Sequence, residues 1–316
     1  MTVMARQLEE VRARWGTLPG NVRGGLFILL STLFFSGMLV LIKVAGERLH
    51  VTEILFFRQS TMLLLALPVI LKDTPGAITS ARPMLQLGRV ACAFCAMLLG
   101  FTAFINLPLA DATTLSFAKT FFMTILAIVF LREVVGPRRW AAVAVGFVGV
   151  VIVAWPTGGS GLNIYTAMAV ASAFFVAVVV ILIRKLSQVD RPVTILTYQA
   201  VGVGILMFPP MIYFWKTPTF EEALILIAIG VLSAIGQTLN IFGLRAGEAS
   251  AVAPLDYTRL LFAVLFGWLV FSDWPEPRVF IGAGLIVAAA VYTLHRERKK
   301  GLEERARAKI QTAGIR

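Results

Sequence analysis

Apolar residues in this chain come in long runs, each broken by a few turn-forming or charged residues. Ten runs can be marked, at roughly 24–46, 53–71, 84–106, 111–131, 139–155, 163–184, 193–214, 221–244, 249–271 and 278–295. Most are near the ~20 residues that a helix needs to cross the hydrocarbon layer of a bilayer. The connections are short and hold turn residues, as in Pro156-Thr-Gly-Gly-Ser-Gly161 between runs five and six. A segment inside lipid must pair all of its own backbone groups, and a run of this length does so as a helix. The pattern predicts an all-α integral membrane protein with ten transmembrane helices.

The pattern also repeats. From Ala110 the chain reads Ala-Asp-Ala-Thr-Thr-Leu-Ser-Phe-Ala-Lys-Thr, an apolar run through Leu131, then Arg132-Glu133 and Pro137. From Gly247 it reads Gly-Glu-Ala-Ser-Ala-Val-Ala-Pro-Leu-Asp-Tyr, an apolar run through Phe271, then Ser272-Asp273 and Pro277. Asp111 matches Glu248, Lys119 matches Asp256, and Glu133 matches Asp273. Earlier in each half, Lys43 matches Arg184, Phe57 matches Tyr198, and Arg58 matches Gln199. Internal repeats of this kind are typical of transporters. The expected organisation is a tail over 1–22, a first five-helix repeat over 23–156, a linker over 157–162, a second repeat over 163–295, and a basic tail over 296–316. Five crossings is an odd number, so the second repeat enters the membrane from the opposite side. The two halves are therefore expected to be inverted about an axis in the membrane plane.

Of 316 residues, 58% are hydrophobic and 15% charged. Soluble domains carry about 25% charged residues. The net charge of +12 would suit nucleic acid if it formed a patch, but most of the charges cluster in tails and loops between the apolar runs. Twenty-one of the 29 Lys and Arg fall on the side of the N-terminus, and only Arg48, Lys216 and Arg278 on the other. Lys and Arg favour the cytoplasmic side. Both termini are thus expected in the cytoplasm, in a bacterial-type inner membrane. The first apolar run is too long for a signal-peptide core, so no cleavage is expected. Cys92 and Cys95 share a helix face, but no further Cys or buried His completes a site, and they read as packing residues. No phosphate-binding glycine loop is present, which argues against ATP-driven transport. His50 and His295 lie at run ends. No enzyme activity, metal, cofactor or nucleic-acid partner is expected. The partners are the bilayer and a small molecule, with a homodimer left open.

Ionisable groups inside a membrane cost ~2.5–3.5 kcal/mol each on insertion scales and are candidates for function. Lys119 lies near the middle of run four, too deep to snorkel to an interface. Asp256 and Arg259 lie near the middle of run nine, three apart and on one face. Two readings stay open: a local pair that locks the helix, or a gate in which Asp256 faces Lys119 across the pseudo-axis. Pro254 removes a helix bond one turn earlier and would let the helix bend. Arg58 and Arg89 lie within runs two and three. After Arg89 the stripe Ala93, Ala96, Gly100 and Ala103 suits close helix packing. Lys43 and Glu53 are near run ends and read as interface anchors. Tyr198, Gln199, Gln237, Asn240 and Tyr257 are uncharged candidates for substrate contact.

Four deep cations stand against one deep anion, Asp256. An excess of that kind is costly in a low-dielectric interior without a counterion. It points to a small organic anion, or a metabolite held by its carboxylate, with Lys119 and Arg89 as first contacts. The competing expectation is that Glu53, Asp111 and Glu248 reach inward and neutralise the excess. Asp256 is the deep carboxylate available to carry a proton, yet its neighbour Arg259 favours exchange or facilitated movement over proton coupling.

Phe56-Phe57-Arg58, Leu109-Ala110-Asp111-Ala112-Thr113, Leu131-Arg132-Glu133 and Leu255-Asp256-Tyr257-Thr258-Arg259, set in two five-span halves, resemble the drug/metabolite transporter superfamily, EamA type. The resemblance covers residues 23–295. It implies a secondary transporter working by alternating access, of the kind that moves amino acids, vitamins, cofactors or organic acids. An exporter of amino acids or of aromatic cofactors and drug-like compounds is the nearest alternative. A lipid flippase or a non-transporting scaffold is the alternative of another class. The family's first repeat often has a Pro in the middle of its fourth span, where this chain has Lys119-Thr120.

Overall fold

The computed structural model describes residues 20–72, 78–131, 137–155, 163–186, 188–246, 253–289 and 291–292. Glu133, Glu248, the linker 157–162 and most of both tails lie outside them. The described residues form helices and connections, with no strand among them. The first half holds α1 (Gly20–Ala45), α2 (Val51–Lys72), α3 (Pro83–Asn106), α4 (Leu109–Ser116), α5 (Lys119–Leu131) and α6 (Pro137–Ala154). The second holds α7 (Ile164–Leu186), α8 (Pro192–Tyr213), α9 (Phe220–Ala246), a 3-10 turn (Ala253–Tyr257), α10 (Thr258–Phe271) and α11 (Pro277–Ala289). Proline opens α3, α6, α8 and α11, where its missing N–H leaves no helix bond unmade.

Among the described residues, six helices (α1, α2, α3, α7, α8 and α9) are each long and apolar enough to cross a membrane. The fourth run, expected as a single span, is interrupted instead, and the described part of the ninth opens with a 3-10 turn. In the fourth, the Thr114 hydroxyl donates to the Ala110 carbonyl and the Ser116 hydroxyl to the Thr113 carbonyl, both at 2.7 Å. Such bonds compete with the helix ladder. The Phe117 and Ala118 N–H groups then reach back only three residues, to Thr114 and Leu115, at 3.1 and 3.0 Å. In the ninth, Pro254 has no N–H, and the chain passes through the tighter turn before α10 resumes. The fifth and tenth runs contain shorter apolar helices, Ala144–Ala154 and Pro277–Ala289.

α1 packs along α9, α7 along α3, and α2 against α8. The repeat correspondence carries α1 onto α7, α9 onto α3 and α2 onto α8, so the packing has the symmetry of the sequence. Matching contacts show it at atomic level. The Ser31 hydroxyl donates to the Gly236 carbonyl at 2.8 Å, and its equivalent Ser172 donates to the Ala96 carbonyl at 2.7 Å. Lipid gives helices little apolar drive to associate, so close approach and such bonds hold them. The stripe Ala93, Ala96, Gly100 and Ala103 is buried. A Cβ at Gly100 would stand 2.5 Å from the Ser172 oxygen. α6 and α11 touch backbone to backbone, for a Cβ at Gly149 would meet the Gly282 carbonyl oxygen at 2.8 Å.

Two ends of the bundle can be told apart by contact. At the Ala45 end, Lys43 meets Leu107 and Asp273, and Arg48 meets Thr217 and Glu222. At the other end, Asp190 in the α7–α8 connection accepts bonds from the Ser80 hydroxyl (2.6 Å), the Ala81 N–H (2.8 Å) and the Gln86 amide (2.8 Å).

Candidate functional site

The break in the fourth run and the 3-10 turn in the ninth bring charges together. Lys119 opens α5 and Asp256 lies in the turn before α10. The Lys119 ammonium is 3.6 Å from one Asp256 oxygen, and Arg259 donates to the other at 2.9 Å. Both contacts left open by the sequence therefore occur together, with one carboxylate shared by two cations. The Lys119 contact is longer than the ~2.7–2.9 Å of a charge-assisted hydrogen bond. The Lys119, Asp256 and Arg259 side chains keep 30%, 27% and 20% exposure.

The surroundings hold this cluster in place. The Arg259 guanidinium sits over the Phe35 ring, 5.3 Å from its centre. Its Nε is buried and makes no hydrogen bond. The Thr32 and Thr258 hydroxyls, 3.1 Å apart, join α1 to the start of α10. Tyr257 packs edge-on against Phe117, with ring centres 4.9 Å apart, and hydrogen-bonds Thr120. Leu115, Phe117 and Ala118, just before Lys119 in the chain, are buried in one apolar cluster.

Arg89 and Arg58 have other surroundings. Sequence reasoning put Arg89 beside Lys119 as a first contact for substrate. The structure encloses Arg89 completely and supplies it with protein acceptors: Gln86 Oε1 at 3.1 Å, Gln199 Oε1 at 3.0 Å and the Ile195 carbonyl at 2.8 Å. Arg58 is also buried, donating to Ser233 at 2.8 Å and Gln59 at 2.9 Å, and lies over the Phe101 ring. Gln59 in turn donates to the Gln199 carbonyl at 3.4 Å. A polar chain thus runs from Ser233 through Arg58, Gln59, Gln199, Arg89 and Gln86 to Asp190, tying α9, α2, α8 and α3 together. Gln86 and Gln59 were readable as the residues one turn before Arg89 and next to Arg58. Asp190, in a connection, gave no such signal.

The remaining candidates scatter. Gln199 belongs to the polar chain, whereas Tyr198 packs against the apolar cluster of Val51, Leu55, Val90 and Met207. Gln237 and Asn240 lie half-buried on one face of α9. Glu53 does not neutralise Arg58. It is buried, one oxygen accepts the Lys216 N–H at 3.3 Å, and the other has no partner. Asp111 lines a hollow of about 470 Å³ at the Ala45 end, with Asp273, Glu276, Arg278 and the tryptophans 155 and 274.

Residues 22–155 match the EamA-like transporter family, and residues 163–294 match it a second time. The chain belongs to the EamA-like transporter family. The double match is the repeat seen in the sequence and in the packing. Among curated EamA-type relatives, the S-adenosylmethionine uptake transporter of Rickettsia bellii is 28% identical over 273 residues, covering 86% of this chain and 94% of its own. The riboflavin transporter of Vibrio cholerae is 32% identical over 199 residues, 63% of this chain and 66% of its own. The pseudopaline exporter of Pseudomonas aeruginosa is 29% identical over 269 residues, 85% of this chain and 94% of its own. A solved crystal structure aligns with a TM-score of 0.62 at 18% identity, covering 87% of this chain and 98% of that one. At that identity it bears on the fold alone. This is a multi-pass membrane protein of a family that transports small molecules.

Proposed function

We propose that the protein is a carrier, not an enzyme, that moves a carboxylate-bearing metabolite across a bacterial inner membrane by alternating access. The observation that carries this reading is the sharing of Asp256 between Lys119 and Arg259 where the break in the fourth run meets the 3-10 turn of the ninth. The cluster has one cation more than its carboxylate can neutralise, and its side chains are only partly buried. A substrate carboxylate can take the place of Asp256 at Lys119, with Arg259 keeping Asp256 paired. Broken transmembrane helices with charged groups at their breaks are a recurrent way to build a midplane site. Phe35 and Tyr257, both partly exposed beside the cluster, favour a planar ring on the rest of the substrate. The named relatives handle S-adenosylmethionine, riboflavin and pseudopaline; S-adenosylmethionine carries both a carboxylate and a ring, whereas riboflavin carries a ring without a carboxylate. A lipid flippase would need an apolar lateral opening. The hollow of about 290 Å³ between α2 and α8 is apolar but is not lined by Lys119, Asp256 or Arg259.

Counterflow in proteoliposomes tests the substrate class. Aromatic and aliphatic carboxylates should exchange, and their methyl esters should not. Transport confined to cations lacking a carboxylate would refute the assignment.

The orientation we propose puts both termini in the cytoplasm and the Ala45 end outside, following the bias of Lys and Arg. Thr217, exposed in the α8–α9 connection, is the position to probe. Cysteine there should react with an impermeant maleimide added to intact cells. Reaction only after the cells are opened would reverse the orientation.

A further inference from the structure

Lys43 reads from sequence as a helix-end anchor, but its contacts show more than that. α1, α3 and α10 all end at the Ala45 end, and each C-terminus carries partial negative charge from its free carbonyls. The Lys43 ammonium sits among them. It donates to the Leu107 carbonyl at 2.9 Å and to Asp273 at 3.2 Å, and lies 4.8 Å from the centre of the Phe271 ring. Asp273 is delivered by a fixed turn. Ser272 takes a left-handed conformation, with φ 55°. Its N–H donates to the Trp268 carbonyl and the Asp273 N–H to the Gly267 carbonyl, both at 3.0 Å. The bond from Ser272 to Trp268 is that of the left-handed helix cap, a position normally taken by glycine.

Lys43 belongs to the first repeat and Asp273 to the second, so the pair links the two repeats at the Ala45 end, where α1 packs on α10. Below it Leu109, Leu115, Phe117 and Ala263 are buried. The Lys119–Asp256–Arg259 cluster keeps partial exposure. Leu109 and Ala263 pack in one buried cluster with Ile42 and Phe271, beside the pair. We propose that Lys43 and Asp273 form the gate at the Ala45 end, closed in this structure, and that they separate each time the site opens to that side. The inference rests on the transport reading above. The pair suits the task, since its carboxylate is exposed and such a contact is weak enough to break in every cycle.

The test uses the full chain in proteoliposomes with Cys92 and Cys95 replaced by Ser. Thr120→Cys, next to Lys119, is the reporter for an impermeant maleimide applied from the Ala45 side. Lys43→Gln and Asp273→Asn should each speed labelling about fivefold or more by shifting the population towards the open state. Lys43→Arg, which keeps the charge and can donate to both the Leu107 carbonyl and Asp273, should label at the rate of the parent. Separately, Lys43→Cys with Asp273→Cys, joined by a cleavable bifunctional thiol reagent, should lose transport, and cleavage should restore it. Unchanged labelling in both single variants, or transport by the cross-linked protein at its uncross-linked rate, overturns the gate. Labelling needs no substrate, so it separates failure of the gate from failure of the substrate assignment.

Discussion

Lys119→Gln and Asp256→Asn each reduce initial uptake by about 100-fold or more, a loss of at least ~2.7 kcal/mol in transition-state terms, while the protein still inserts and folds. The two should fail differently. Without Lys119, Asp256 and Arg259 form a neutral pair, and nothing is left to draw a substrate carboxylate. The half-saturation concentration should rise. Without the Asp256 charge, Lys119 and Arg259 face each other with no counter-ion in the protein. An anion then binds more tightly and leaves more slowly, so turnover should fall with the half-saturation concentration lowered. Folding should survive because all three side chains are only partly buried, which lowers the cost of an unpaired charge. Tracer uptake over a range of concentrations, with expression and thermal midpoint as controls, makes the distinction. Normal transport by either variant would remove the cluster from the mechanism. The same vesicles test coupling. Accumulation driven by a pH gradient alone, lost in Asp256→Asn, would replace exchange with proton coupling.

The fold was legible because lipid restricts the options. Apolar runs near twenty residues have one solution as helices, and the matching of Lys119 with Asp256 and of Glu133 with Asp273 revealed the repeat without any contact information. The pairing of Lys119 with Asp256 was legible for the same reason, since equivalent positions of inverted repeats meet near the axis. Other features were not. The fourth span breaks at Phe117-Ala118 through hydroxyl-to-carbonyl bonds of Thr114 and Ser116, and Ser and Thr also occur in unbroken spans. Counting deep charges treated Arg58 and Arg89 as equivalents of Lys119. That count could not register their neutral acceptors, because Ile195, Gln199 and Ser233 lie more than a hundred residues away. Burial with acceptors and burial against a cavity look the same in sequence.

Arg89 therefore carries the other large prediction, and its sign separates holding the bundle from touching substrate. Arg89→Leu strands the Gln86 and Gln199 side-chain oxygens and the Ile195 carbonyl. Each buried group left without a partner costs about 1–3 kcal/mol. Loss of the guanidinium also removes the burden of burying a charge, and the two amides can partly re-pair. A net loss of about 2–4 kcal/mol remains, enough to lower the thermal midpoint by at least about 5 °C. The protein that does fold should bind substrate with a half-saturation concentration within about twofold of the parent, since Arg89 is closed off from the path. The opposite result, an unchanged midpoint with much weaker binding, would return Arg89 to the substrate. Asp190 gives the argument a pH axis, because it anchors the far end of the same chain through Gln86. Burial pushes its carboxyl up, but the Ser80 hydroxyl, the Ala81 N–H, the Gln86 amide and the nearby Arg82 together hold it below the usual carboxylate range. A lowered folded value means stability that is present above the unfolded value, about 3.9 for Asp, and lost as pH falls through the lower one. Asp190→Asn should thus lower the midpoint at pH 7, and the difference from the parent should close below about pH 4. A difference that persists undiminished under acid would mean that Asp190 acts through shape and not through charge.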